Sequence, residues 1–194
     1  MGHSQAEKAE TRERILQAAA RQIREGGLES VGIAELMKSV GQTHGGFYGH
    51  FKSRSALLTA ALDRAIADGV AAYQGNAGSD GALSYPALVN AYVSGWHRDN
   101  PGRGCAISAL ANDTARADPP ILAVMHRHLE QIFSETADLI GCEAEDDANA
   151  RKEALTAWST MVGAIALSRL FKGERLSDEI LEAARTKLSG GAGR

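Results

Sequence analysis

Three places in the 194-residue chain hold side chains whose types and spacing could do chemistry. The densest is "QTHGGFYGHF", residues 42–51, where Gly45 and Gly46 stand between a good helix cap, Thr43, and a cluster of Phe47, Tyr48, His50 and Phe51. An interior helical glycine costs about 1 kcal/mol relative to alanine, and a short helix has little stability to spare. Something other than helix strength favours these two glycines. The second place is "GRGCAIS". Cys105 follows a glycine at an expected helix start near Arg103, a setting that lowers a thiol pKa and suits oxidant or electrophile sensing; the other reading is a small buried hydrophobe. The third is "HRH". His126 and His128 are two apart on an expected helix and point to different faces, with no H-E-x-x-H pattern or Cys/His pair beside them, so no metal site is expected.

Enzyme signatures are missing from the sequence. It contains no nucleophile elbow, phosphate loop or dinucleotide fingerprint, which points to a non-enzyme without a cofactor. Cys105 and Cys142 are too few for a disulfide framework. Hydrophobic residues make up 44% and charged residues 23%, as in soluble globular proteins. The longest apolar stretch, Met161 to Leu167, falls far short of a membrane span of about 20 residues, and the first residues lack an apolar signal core. The expected location is the cytoplasm. His3 lies in a "GHS" that can be an expression remnant. Net charge is −3, but residues 1–58 hold eight Lys/Arg against six Asp/Glu, and the remainder 13 against 18. A mildly basic front on an acidic body suits a nucleic-acid-binding part joined to a part with another task.

The elements that must position these residues read as all-α. A first helix over about 6–25 carries Ile15, Ala19 and Ile23 on one face, and the glycines at 26 and 27 stop it. A short helix follows over about 33–40 and ends at Gly41. Thr43 can then cap another short helix, because its hydroxyl can accept a backbone N–H two or three residues on. Two short helices around a glycine turn make a helix-turn-helix candidate. A longer helix begins near residues 53–55, the strongest loop signal spans 74–86, and further helices are expected at about 86–99, 104–116, 119–140, 146–172 and 177–189. The last two carry stripes, Leu155, Trp158, Val162, Ile165 and Arg169, then Leu176, Ile180, Ala184 and Leu188, that serve equally as intramolecular core or subunit contact. The acidic run at 143–147 reads as a solvated loop, and the glycine-rich tail as mobile.

"ELMKSVGQTHGGFYGHFKSRSALLTAAL", residues 35–62, resembles the helix-turn-helix and following helix of TetR-type transcriptional regulators: Gly41, Thr43, Gly45, Tyr48, the His50-Phe51 pair and Lys52 fall in that family's order. The motif covers roughly the first 70 residues, and the remainder matches only in architecture. One departure is Gly32, where the family commonly caps the second helix with Ser or Thr. The resemblance implies an N-terminal three-helix DNA-binding domain over 1–53 and a larger helical ligand-binding and dimerisation domain over 54–190, about nine helices in all. It also implies why the glycines are there. A recognition helix enters the major groove by its N-terminal end, and leucine-sized side chains at 45 and 46 would hold the backbone off the DNA. Thr43 and Tyr48 would then bind phosphate, Lys52 would add a charge contact, and His44 with the backbone of Gly45 and Gly46 would reach base edges or phosphate. His50 serves as phosphate contact or packing.

By the same resemblance, the last two helices pair with their copies in a homodimer that sets two recognition helices about 34 Å apart on a palindromic, double-stranded operator. A small-molecule effector would sit among the middle helices. Candidate lining residues are Tyr92, Trp96, Cys105, Leu110, Met125, Leu129, Phe133, Trp158 and Met161, an apolar wall with a few polar handles that could equally be core. The expected function is a repressor released from DNA by its ligand. The alternatives are a redox or electrophile sensor acting through Cys105, and a helical enzyme or adaptor that does not bind DNA.

Overall fold

The computed structural model describes residues 5–74, 83–141 and 147–190. His3, Cys142, most of the 74–86 loop, the acidic run through 146 and the tail after 190 lie outside the described residues. Among those described there are nine α-helices and no strand: α1 (Gln5–Gly26), α2 (Ile33–Ser39), α3 (Arg54–Gln74), α4 (Tyr85–Tyr92), α5 (Gly95–Asp99), α6 (Ala106–Thr114), α7 (Pro119–Gly141), α8 (Asp147–Leu170) and α9 (Arg175–Ser189). No described helix is long and apolar enough to cross a membrane. The chain folds as two compact units, residues 1–68 with 105–125, and residues 69–104 with 126–194.

In the first unit, Ile15, Ala19 and Ile23 of α1 are fully buried, as are Leu57, Ala61, Leu62 and Ala65 of α3. Their spacing of three to four residues builds one apolar seam per helix. Charged side chains lock the seam. Arg24 is buried and donates to the Ala65 carbonyl at 3.0 Å, and Arg54 donates to the carbonyls of Leu28 at 2.9 Å and Val31 at 3.1 Å. Arg64 binds both Glu13 and Asp68, and the hydrogen bond from Arg64 holds the Glu13 carboxyl below its usual range. Asp113 of α6 accepts the Leu28 N–H at 3.1 Å, which ties α6 to the short 3₁₀ turn Leu28–Ser30 that follows α1.

The second unit is built around Tyr92, whose ring meets His97 edge-on at 4.6 Å and Trp158 edge-on at 5.1 Å. The Trp158 Nε1–H is satisfied by Thr136 Oγ1 at 2.8 Å. The sequence predicts one helix over 86–99, but the chain breaks after Tyr92. Ser94 caps a new helix by accepting the His97 N–H at 3.2 Å, and His97 Nδ1 reaches back 2.8 Å to the Tyr92 carbonyl, an acceptor at the end of α4 that a continuous helix would have used internally. The end of α8 and the start of α9 are fastened to α5: Arg98 bonds Ser177 and Asp178, and Arg169 donates to the carbonyl of His97 at 3.0 Å. The apolar stripe of α8 splits. Trp158 and Ile165 are buried within the unit, whereas Leu155 remains exposed.

Candidate nucleic-acid interface

Residues His44–Gly49 form the short helix expected after Thr43, wound as a 3₁₀ turn. Six residues with three glycines leave little α-helical preference to enforce the wider winding. Gly41, at φ +72°, makes the turn that leads into it from α2, a conformation that L side chains rarely adopt. Thr43 caps the turn: its hydroxyl accepts the Gly46 N–H at 3.3 Å. α2 begins at Gly32 without any side-chain cap.

The turn has two faces. Phe47 is fully buried and Phe51 nearly so, stacked on each other with ring centres 5.8 Å apart. These two anchor the turn to the core. On the opposite face Thr43, His44, Gly45, Tyr48, Gly49 and Lys52 are exposed, while Gly46 and His50 are half-buried. Tyr48 is 64% exposed, a large amount for an aromatic ring; its edge-on contacts with Phe47 at 5.2 Å and His44 at 6.4 Å hold it upright on that face. The outward face therefore carries hydroxyls, an imidazole and an ammonium on a backbone stripped of side chains at three positions.

The glycines of the first unit fall into two groups. Gly27 has φ +84° and a Cβ there would strike the Asp113 carboxylate at 2.6 Å, so the fold itself demands glycine. At Gly45 and Gly49 an added Cβ would meet nothing within 4 Å, and at Gly46 it would make only ordinary contact with Thr43 Oγ1 at 3.5 Å. None of these three has a positive φ. Neither packing nor backbone conformation within the chain explains why they are glycine.

Two cations that the sequence reading passed over stand beside the turn. Burial foremost, then the positive charges of Lys8 and Arg12 on α1, push the His50 imidazole pKa down, and His50 Nδ1 is buried with no hydrogen-bond partner among the described residues. The Arg12 guanidinium lies 4.8 Å from the centre of the Phe51 ring. Amphipathic spacing alone puts Lys8 and Arg12 on the solvent side of α1; only the packing of α1 against the turn puts their charge at this face. Together with Lys52 they favour an anionic partner.

The residues expected to line an effector site fall in both units. Cys105, Leu110 and Met125 belong to the first unit and are buried there. Cys105 is buried, 4% exposed, at the N-cap of α6. In the second unit Tyr92, Trp158 and Met161 are buried, Leu129 and Phe133 are half-buried, and Trp96 is 46% exposed with Arg103 above its ring. A cavity within that unit includes Trp158 in its wall, together with Ile132, Thr136 and Leu139, which the sequence reading did not single out. Among the described residues no three His, Cys, Asp or Glu side chains cluster as a metal site would require.

Residues 15–61 match the profile of bacterial regulatory proteins of the tetR family. No curated protein matches the chain by sequence. Among solved structures, a TetR-family transcriptional regulator from Streptomyces coelicolor is 25% identical, with 95% of each chain covered and a TM-score of 0.70. A TetR transcriptional regulator from Chloroflexus aurantiacus is 24% identical, again with 95% of each chain covered, at a TM-score of 0.80. The reduced form of NemR from E. coli is 20% identical, covering 93% of this chain and 96% of that one at a TM-score of 0.73.

Proposed function

From the premise that residues 15–61 are a TetR-type helix-turn-helix segment and that the chain has the TetR fold, we propose that this protein is a dimeric repressor that leaves its operator when it binds a small molecule. The observation that carries the DNA-binding surface is the trio Gly45, Gly46 and Gly49: side chains are missing where the fold has room for them, on a face that also presents Thr43, His44, Tyr48 and Lys52. A bare backbone flanked by hydroxyls and cations lets a duplex come within hydrogen-bonding distance of main-chain N–H groups. Thr43, Tyr48 and Lys52 take phosphate oxygens, and His44 reaches a base edge. Lys8 and Arg12, whose charges reach His50, add positive potential.

Fluorescence anisotropy with DNA from immediately upstream of the coding region, beside a shuffled fragment, tests this reading. The expected result is saturable binding that prefers the upstream fragment and weakens steeply between 50 and about 300 mM salt, because each neutralised phosphate releases counterions. Absence of binding at low salt to either fragment would remove the DNA-binding reading.

Dimerisation is supported by α8, which is apolar on more than one side. Ala154, Trp158, Met161 and Ile165 are buried within the unit, yet Leu167 is 51% and Leu170 is 75% exposed. Gly163, on the same side by helical spacing, has open space where a Cβ would stand. Exposed leucines beside a glycine suit close approach of a second copy about a two-fold axis. The wild type is expected to be a dimer by light scattering at micromolar concentration. Leu167→Glu places two like charges near that axis and is expected to weaken association at least tenfold, on the order of 1.4 kcal/mol or more, without unfolding the protomer.

The ligand response needs a few kcal/mol of differential affinity between two conformations. An effector that binds more tightly to the form unable to span two half-sites lowers operator occupancy by mass action.

A further inference from the structure

A cavity in the second unit is open to solvent on one side and apolar over most of its wall. Val70 of α3, Leu88 of α4, and Ile132 and Leu139 of α7 supply the walls, with the indole of Trp158. A polar group buried against such walls without a partner would lose its hydration for nothing in return, so the body of any occupant must be apolar.

Two polar side chains interrupt the wall, and they differ in what they offer. Thr136 is buried and its hydroxyl oxygen already accepts the Trp158 Nε1–H at 2.8 Å. Its bonding serves the fold. Glu135 is exposed, unlike Leu88, Ile132, Thr136 and Trp158, and so marks the side that opens to solvent. Gln131, one turn earlier, steadies one of its carboxylate oxygens at 2.7 Å. Among the described lining residues Glu135 is the only charged one.

We propose that this cavity takes an apolar cation, with its hydrocarbon body against Val70, Ile132, Leu139 and Trp158 and its ammonium-type group at the Glu135 carboxylate. A carboxylate-bearing molecule of the same shape meets like charge at the mouth and is disfavoured. The proposal names the class of effector for the ligand response argued above and rests on that reading for its regulatory consequence, while binding itself is a separate matter.

Isothermal titration of the full chain with decylammonium, decanol and decanoate, below micelle-forming concentrations and at low salt, tests it. Decylammonium is expected to bind roughly tenfold tighter than decanoate, as attraction replaces repulsion at a partly screened carboxylate, with decanol between them. Glu135→Gln should bring the cation-to-anion ratio close to one and leave decanol binding in place. Ile132→Trp should fill the cavity and remove binding of all three, with Leu88→Phe as a second filling variant and circular dichroism as the check on folding. Decanoate binding as tightly as decylammonium, a ratio that survives Glu135→Gln, or no binding of any of the three would overturn the proposal. Operator anisotropy on the same samples separates the two readings: decylammonium that binds with the expected Glu135 dependence but leaves operator occupancy unchanged supports the site and counts against the ligand-release mechanism.

Discussion

Gly45→Leu is expected to lower operator affinity by about a hundredfold or more while leaving the protein as stable as the wild type. The two halves of this expectation have separate causes. Within the chain, the position is exposed, its φ is not positive, and a Cβ there meets nothing within 4 Å; a leucine has room, and its better helical propensity offsets whatever ordering it requires. Against a duplex, the same four-carbon side chain stands between the backbone and the groove and pushes back Thr43, His44 and Tyr48 together. Each well-made contact to DNA is worth about 1 to 3 kcal/mol, so displacing two of them reaches the hundredfold level, near 2.7 kcal/mol. Gly45→Ala should fall between, and Gly27→Ala provides the opposite control: φ +84° and the Asp113 carboxylate in the way predict a loss of stability rather than a selective loss of binding. Anisotropy titrations paired with thermal melts read both quantities. Full operator affinity in Gly45→Leu would place the DNA-contacting surface somewhere other than the His44–Gly49 turn.

The helical frame is legible in the sequence wherever periodicity and a stop signal coincide. Ile15, Ala19 and Ile23 followed by two glycines mark α1, and its end at Gly26 follows directly. The break between α4 and α5 is harder to see, because Ser94 and Gly95 are compatible with a continuing helix until His97 is known to fold back on the Tyr92 carbonyl, a tertiary fact. The winding of residues 44–49 is likewise decided by glycine content and by the anchoring of Phe47 and Phe51 more than by the cap. The cavity shows a different limit. On α7 the stripe Met125, Leu129 and Phe133 and the stripe Ile132, Thr136 and Leu139 have nearly the same spacing, and only packing against α8 through the Thr136 to Trp158 bond selects the second as part of the wall. At about 100° per residue the centres of the two stripes differ by only about 50°, an offset that leaves no trace in the periodicity. Lys8 and Arg12 are ordinary solvent-side residues until the turn packs beside them.

Acid is expected to destabilise the second unit in a window that carboxylates do not explain, and His97 is the reason. Its side chain is fully buried, and burial foremost, with the Arg169 charge adding to it against the opposing bond to the Tyr92 carbonyl, lowers its pKa from 6.5 to about 4. As the pH falls below about 6.5 the unfolded chain takes up a proton on this imidazole, whereas the folded chain resists until about 4; protonation therefore favours the unfolded state throughout that interval. The stability is fully present above 6.5, declines as the pH falls, and levels out once the folded form is also protonated, a total of about 3 kcal/mol at 1.36 kcal/mol per pKa unit. His50, whose pKa is also lowered, adds a slope of the same sign in the first unit. Glu13 and Asp99, held below the usual carboxylate range chiefly by Arg64 and Arg98 respectively, lose their contribution only at more acid pH, so the interval from about 6.5 to 5 belongs to the histidines. His97→Asn keeps a donor that can reach the Tyr92 carbonyl but cannot titrate. It is expected to be less stable than wild type at pH 7.5, because the edge-on contact with Tyr92 is lost, and to show a much flatter profile down to pH 5. Urea unfolding at half-unit pH steps, followed by tryptophan emission since Trp158 sits against Tyr92, measures the difference. Parallel profiles for wild type and His97→Asn would mean that His97 titrates in the folded protein as it does in the unfolded chain, and that the Tyr92, His97 and Trp158 cluster is looser than its contacts imply.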